Sequence, residues 1–169
     1  LFVPSDTRSF HEEFERAAAA LFVLVPFAAV EHVGSTAVPG SATKGDLDIL
    51  VRVDRADFEN AQFVLDAALA CSPRNESTDC YAEYDFADSG VPTAVQLCVT
   101  GEFHDRHFRG FKSILISNPE ALRLYNELKE AHEGGEMSAY RLAKEQLIES
   151  LFARYGVDVD ITVRPGIYR

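Results

Sequence analysis

The run Asp46-Leu47-Asp48-Ile49-Leu50-Val51 constrains this chain more than any other stretch. Its apolar residues read as a buried β-strand. Alternate side chains on a strand share a face, so Asp46 and Asp48 project together while Leu47, Ile49 and Val51 enter the core. Two carboxylates side by side on a hydrophobic sheet repel each other and resist burial, and a divalent cation or a shared proton relieves both problems. A cation, Mg²⁺ or Mn²⁺, is the expectation. The alternative is an exposed strand face whose acids pair with Lys44 or Arg52.

A chain of 169 residues with 47% hydrophobic and 25% charged residues suits one domain, 1–169, with a core of its own. The net charge of −11 argues against general nucleic-acid binding, because phosphate backbones are held by an excess of Lys and Arg. A small anionic ligand remains compatible if a metal ion reverses the local sign. Cys71, Cys80 and Cys98 lack metal-ligand spacing, and no secretory leader pattern opens the sequence, so a reduced, cytoplasmic protein is expected. The longest apolar stretch, Ala17 to Val30, is interrupted by Pro26 and too short to span a bilayer, so no membrane role is expected.

Helical spacing of Phe10, Phe14, Ala17, Ala18 and Leu21 predicts a first helix, capped by Ser5 or Thr7 and ending before Pro26. Phe27–Val33 reads as a strand, Gly34–Gly45 as a loop, Asp46–Val53 as the acid-bearing strand. Asp54 is placed to cap a second helix with the stripe Phe58, Ala61, Leu65, Ala68 and Leu69. The chain then turns polar around Ser72–Asp79. Tyr81–Phe86 and Thr93–Thr100 flank Asp88-Ser89-Gly90 as a β-hairpin. The remainder reads as helices: one around Arg106–Ile116, one introduced by Asn118-Pro119-Glu120, and one from about Ser138 to Tyr155. Val157, Val159, Ile161 and Val163 suggest a tail that adds a strand or docks on the body. The fold class is therefore α+β, α/β layered, with a small mixed sheet flanked by helices and a helical C-terminal segment.

The loop from Gly34 contains little but small side chains, which leaves its amides free to approach a phosphate. Ser35 and Thr36 fall within it. His32, just before, is either a hydrogen-bonded structural residue or a substrate contact. Lys44 is placed to meet a ligand phosphate or one of the acids. Arg106 and Arg109, spaced i and i+3, form either an anion clamp or a solvated pair. Tyr140 and Lys144 share a helix face with Leu147 and Leu151, so the lysine needs a negative partner there. His104, His107 and His132 have no zinc-ligand spacing, and no Ser-His-Asp set, dinucleotide glycine fingerprint or redox cysteine pair is present.

Gly34-Ser35, ten residues, then Asp46-Leu47-Asp48 resembles the signature of the DNA polymerase beta-like nucleotidyltransferases. The wider run Glu31-His32-Val33-Gly34-Ser35-Thr36-Ala37-Val38-Pro39-Gly40, with Lys44 and Asp48, is similar to the GrpB branch of that superfamily. Arg106, Phe108-Arg109, Phe111, Asn118-Pro119-Glu120, Tyr125, Leu128-Lys129, Tyr140 and Lys144 continue the likeness. The resemblance implies a nucleotidyltransferase core over about residues 10–100 and a helical part over about 104–156. It implies that Gly34, Ser35, Thr36, Lys44, Arg106, Arg109 and Lys144 bind the phosphates of a nucleotide, and that Asp46 and Asp48 hold Mg²⁺ and carry catalysis.

Departures from the family pattern are informative. Relatives usually carry an aliphatic residue at the position of Asp46, a proline at that of Gly45 and an acid at that of Gly110. The third metal-binding acid of the superfamily corresponds to a strand face offering Gln96 and Cys98; either one metal site is weakened, or Glu83 or Asp85 on the neighbouring strand supplies the charge. The leading expectation is an Mg²⁺-dependent enzyme that binds a nucleoside triphosphate and transfers a nucleotidyl group to a small acceptor. The alternatives are a catalytically silent nucleotide- or small-ligand-binding module and an interaction protein on the same scaffold.

Overall fold

A computed structural model describes residues 3–4, 7–72 and 77–159. In chain order the elements are β1 (Val3–Pro4), α1 (Thr7–Leu24), β2 (Ala29–Val33), a 3₁₀ turn (Ser35–Ala37), β3 (Ala42–Thr43) and β4 (Leu47–Val53). A second 3₁₀ turn (Arg55–Asp57), α2 (Phe58–Ala68), β5 (Ala70–Cys71), β6 (Tyr81–Asp85) and β7 (Thr93–Val99) follow, then α3 (Phe103–Ser117), α4 (Pro119–Ala131) and α5 (Met137–Tyr155). Five strands form one sheet in the order β2-β4-β7-β6-β5. Only β4 and β7 run parallel; the other pairs are antiparallel, including the expected β6-β7 hairpin. β1 and β3 make a separate antiparallel pair.

The apolar run Ile49-Leu50-Val51 of β4 follows from its central place. Leu47, Ile49, Val51 and Val53 face α1 and α2, meeting Leu21, Phe58 and Leu65 in the larger core. Leu50 points the other way and packs with Val33, Tyr81 and Cys98 beneath Phe108 of α3. A strand covered on both faces needs apolar residues in both phases of its alternation. Asp48 and Arg52 are the departures, Asp48 at the end of β4 that borders the Gly34 loop.

The three C-terminal helices share a second core built on Phe111, Leu115, Tyr125, Ile148, Leu151 and Phe152. Val159 of the tail is buried in it and Val157 packs against it. Gly110 accommodates that docking: a Cβ there would stand 2.8 Å from Val157 Cγ1, so a side chain at this position would press on the tail. The tail positions Ile161 and Val163, the cap expected from Ser5, and part of the polar turn, 73–76, lie outside the described residues.

Two expected caps take other roles. Asp54 precedes a 3₁₀ turn rather than α2 itself and makes no side-chain cap bond. Asn118 donates its side-chain amide to the Ile114 carbonyl at 3.0 Å, closing α3 instead of capping α4. The strand expected over Phe27–Val33, β2, starts at Ala29. Among the described residues no helix is long and apolar enough to cross a membrane.

An ion network joins α3 to the sheet. Arg52 on β4 donates Nε to Asp105 Oδ1 at 2.6 Å, and Asp105 also accepts the Gly101 N–H at 2.7 Å. Glu31 on β2 receives Arg109 at 3.1 Å and Lys112 at 3.3 Å. Arg52 is thereby committed away from the acid pair.

Candidate active site

The residues of the Gly-Ser loop and the acid pair open into one cavity. In the β2-β4 ladder Val33 lies opposite Asp48, so Gly34, the next residue, turns directly over the aspartate. Its φ of 73° is a conformation that glycine alone adopts without strain. The approach is also too close for any side chain: a Cβ on Gly34 would lie 2.1 Å from Asp48 Oδ2. Asp46 sits one residue before β4 rather than on it, yet it lines the same cavity as Gly34, Ser35 and Asp48.

Lys129 on α4 anchors the loop from behind. Only 1% exposed, it donates Nζ to Ser35 Oγ at 2.6 Å, to Ser41 Oγ at 3.3 Å and to the Ala42 carbonyl. It thus grips both ends of the loop, and its ammonium lies 3.9 Å from the centre of the Tyr125 ring. An ammonium has donors only, so Ser35 Oγ accepts from Lys129 and keeps its own proton to give. Tyr125 OH is 3.4 Å from that oxygen. Burial tends to raise the Tyr125 phenol, but Lys144, Lys129 and hydrogen bonds to Ser35 and Tyr140 outweigh it and hold it below the usual range. Burial holds Lys129 below the usual lysine range.

The cavity encloses about 390 Å³. Its lining carries the carboxylates Asp46, Asp48, Glu83 and Asp85, the cations Arg141 and Lys144 of α5, and aromatic residues, among them Tyr81, Phe108 and Phe111. Burial first, then the neighbouring Asp46 carboxylate, push Asp48 up to about 6, with Lys144 and a hydrogen bond from Gln96 acting in the opposite direction. Gln96 Nε2 donates to Asp48 Oδ1 at 3.3 Å. Glu83 receives Ser72 Oγ at 3.1 Å and Tyr81 OH at 3.2 Å.

Other residues expected at the site are elsewhere. The Thr36 side chain is buried, hydrogen-bonded to His32 Nε2 at 2.9 Å and to the Asp46 carbonyl at 3.3 Å, so it shapes the loop instead of facing a ligand. His32 also stacks on Phe14, and burial followed by the Lys112 charge lowers it to about 4, which marks the structural of its two readings. Lys44 lies over the Tyr140 ring at 5.2 Å and donates to Met137 Sδ at 3.7 Å. Neither Lys44 nor Tyr140 lines the cavity. Arg106 donates to the Gly101 and Asp158 carbonyls and Arg109 to Glu31, so the clamp expected from their spacing does not form at the cavity.

Among the described residues no group of three or more His, Cys, Asp or Glu is placed to hold a metal ion. Of the four carboxylates that line the cavity, Asp46 and Asp48 form the adjoining pair, a smaller set of hard oxygen ligands. Such a set fits a hard cation that takes its remaining ligands from water and a substrate's phosphates, as Mg²⁺ does.

The sequence matches the profile of the family described as GrpB protein over residues 2–154. This chain belongs to the GrpB family. A UPF0157 protein of Vibrio cholerae is 34% identical over 135 residues, covering 78% of this chain and 69% of that protein. The crystal structure of the conserved protein GrpB from Enterococcus faecalis superposes with a TM-score of 0.70 at 20% identity, over 92% of this chain and 99% of the other. Cid1, whose structure is described in terms of RNA terminal uridylyl transferase activity, shares the fold at a TM-score of 0.50 and 17% identity, over 75% of this chain and 41% of Cid1. The fold is nucleotidyltransferase-like. Arg141 of this GrpB-family cavity escaped the sequence reading as a site residue, its i, i+3 relation to Lys144 being the available signal, as did the aromatic lining residues Tyr81, Phe108, Phe111 and Tyr125 and, behind the loop, Lys129, visible only as part of the family pattern.

Proposed function

We propose that this GrpB-family protein binds a nucleoside triphosphate with Mg²⁺ or Mn²⁺ and transfers a nucleotidyl group to a small acceptor, acting in the cytoplasm on partners that are neither nucleic acid nor membrane. One observation carries the reading: the Asp48 carboxylate lies directly against Gly34 in a cavity that also receives Ser35, Arg141 and Lys144. Arg141 and Lys144 offset phosphate charge, and the Ser35 hydroxyl donates toward a phosphate oxygen while Lys129 holds it from behind. The aromatic wall gives a base or other flat group a surface to stack on. Asp46 and Asp48 would hold the cation, which when bound offsets the charge of the phosphates and of the leaving group. Glu83 and Asp85, on β6 beyond Ala94 and Gln96 of the same sheet face, are acceptors for the proton that an attacking hydroxyl or amine gives up.

Titration calorimetry with ATP, GTP and CTP, with and without Mg²⁺, tests the proposal. Metal-dependent binding of at least one triphosphate is expected, and Gly34→Ala or Asp48→Asn should abolish it. Absence of metal-dependent binding to all three would defeat the reading. Gln96 favours a second one: with an amide at the third acid's position, the protein would be a nucleotide-binding module without turnover. Nucleotide binding with no pyrophosphate release for any acceptor would select it.

A further inference from the structure

We propose that the β6-β7 side of the cavity is the acceptor subsite and that it takes a primary ammonium group, received by Gln96 Oε1 together with Asp85 and Glu83; this rests on the nucleotidyl-transfer reading above. Gln96 on β7 lies opposite Glu83 on β6, and Asp85 lies opposite Ala94, so the four residues share one face. Ala94 contributes only a methyl group between Asp48 and Asp85, and the space over it belongs to the cavity.

Gln96 supplies the independent sign of a ligand. It is 5% exposed, and its Nε2 donates to Asp48 Oδ1 at 3.3 Å. That bond fixes the amide, since the reverse orientation would set Oε1 against a carboxylate. Oε1 is then buried and has no hydrogen-bond donor, on a side chain that lines the cavity. A buried amide oxygen can only accept, and leaving it unmatched is costly. Its complement is therefore a donor.

The surrounding charge selects the kind of donor. Four carboxylates line the cavity against two cations, Arg141 and Lys144. A neutral hydroxyl would satisfy Oε1 and leave that excess as it was. An ammonium brings three donors and a positive charge, which match one amide oxygen and two neighbouring carboxylates.

The test compares 2-phenylethylamine with 2-phenylethanol, two probes of nearly one shape that differ in the charged donor. Both are titrated at pH 7.5 into the wild-type protein, into Gln96→Leu and into Asp85→Asn, with binding followed by NMR. The amine should bind wild type at least tenfold more tightly than the alcohol, and each substitution should reduce the preference to less than threefold. Equal binding of the two probes, binding of neither, or a preference that survives Gln96→Leu in a folded variant would overturn the inference. A parallel Mg²⁺-ATP titration of the wild type separates the failures. If ATP binds and the amine preference is absent, the ammonium subsite falls and the nucleotide reading stands. If the preference is present and no triphosphate binds, the site's role as an acceptor subsite falls with the nucleotide reading.

Discussion

Asp48 is the residue on which the site turns, and its environment has a measurable consequence without any ligand. Burial and the Asp46 carboxylate raise it from 3.8 to about 6, so the folded chain holds a proton there more tightly than the unfolded chain does. Below pH about 4 both states are protonated and the penalty is absent. As pH rises through about 4 to about 6 the unfolded chain releases its proton first, and folding is weakened by an amount that is complete above about 6. Asp48→Asn should therefore stabilise the metal-free protein at pH 7.5 by about 1–3 kcal/mol, with no gain at pH 3.5. Urea denaturation at the two pH values checks both halves, and a gain that persists at the lower pH would contradict the account. The pair Gly34 and Asp48 was legible in the sequence because both residues bear on one local fact, a glycine turn followed closely by an acidic strand. Their contact was not legible, because it depends on the pairing of β2 with β4 and hence on which residue of one strand faces which of the other.

At the scale of elements, α4 and α5 supply what the sheet lacks. Lys129 reaches from α4 to both ends of the Gly34 loop. Lys129→Met keeps much of the buried volume but leaves Ser35, Ser41 and the Ala42 carbonyl without their shared donor. It should lower stability by about 2–3 kcal/mol, and should weaken Mg²⁺-nucleotide binding roughly tenfold by releasing the loop, a factor equal to about 1.4 kcal/mol. Thermal melting and nucleotide titration read the two effects separately; unchanged affinity in a destabilised variant would confine Lys129 to a role in folding. Periodicity located these helices well, and it placed Lys144 on an inward face correctly. It failed for Arg106 and Arg109, since spacing shows that two side chains share a helix face but not what that face meets: here it is Glu31 and two backbone carbonyls. For Lys129 the difficulty was the reverse, because a lysine between helix-forming residues reads as a solvent-facing position until tertiary packing buries it.

The whole molecule is a layered sheet joined to a helical half, and the cavity lies where they meet. Asp105 is the fastener: its side chain is 3% exposed, and it holds Arg52 of β4 and the Gly101 N–H at the entrance of α3. Removing Asp105 leaves Arg52 with the more distant Glu31 at 3.9 Å and the Gly101 N–H without its acceptor. Asp105→Ala should cost about 3 kcal/mol by chemical denaturation, whereas Arg123→Ala, which breaks an exposed pair with Glu127, should change stability by less than about 1 kcal/mol. Equal effects would show that the junction is not held as described. The architecture also separates the two signs of charge in the cavity along the chain: the Asp46-Asp48 pair lies early, and Arg141 and Lys144 come from the last helix. At ribosomal speeds of about 5–20 residues per second, the interval between them takes on the order of 5–20 seconds to synthesise. Until then a nascent chain carries the carboxylates of the cavity without either of the cations that line it in the finished fold.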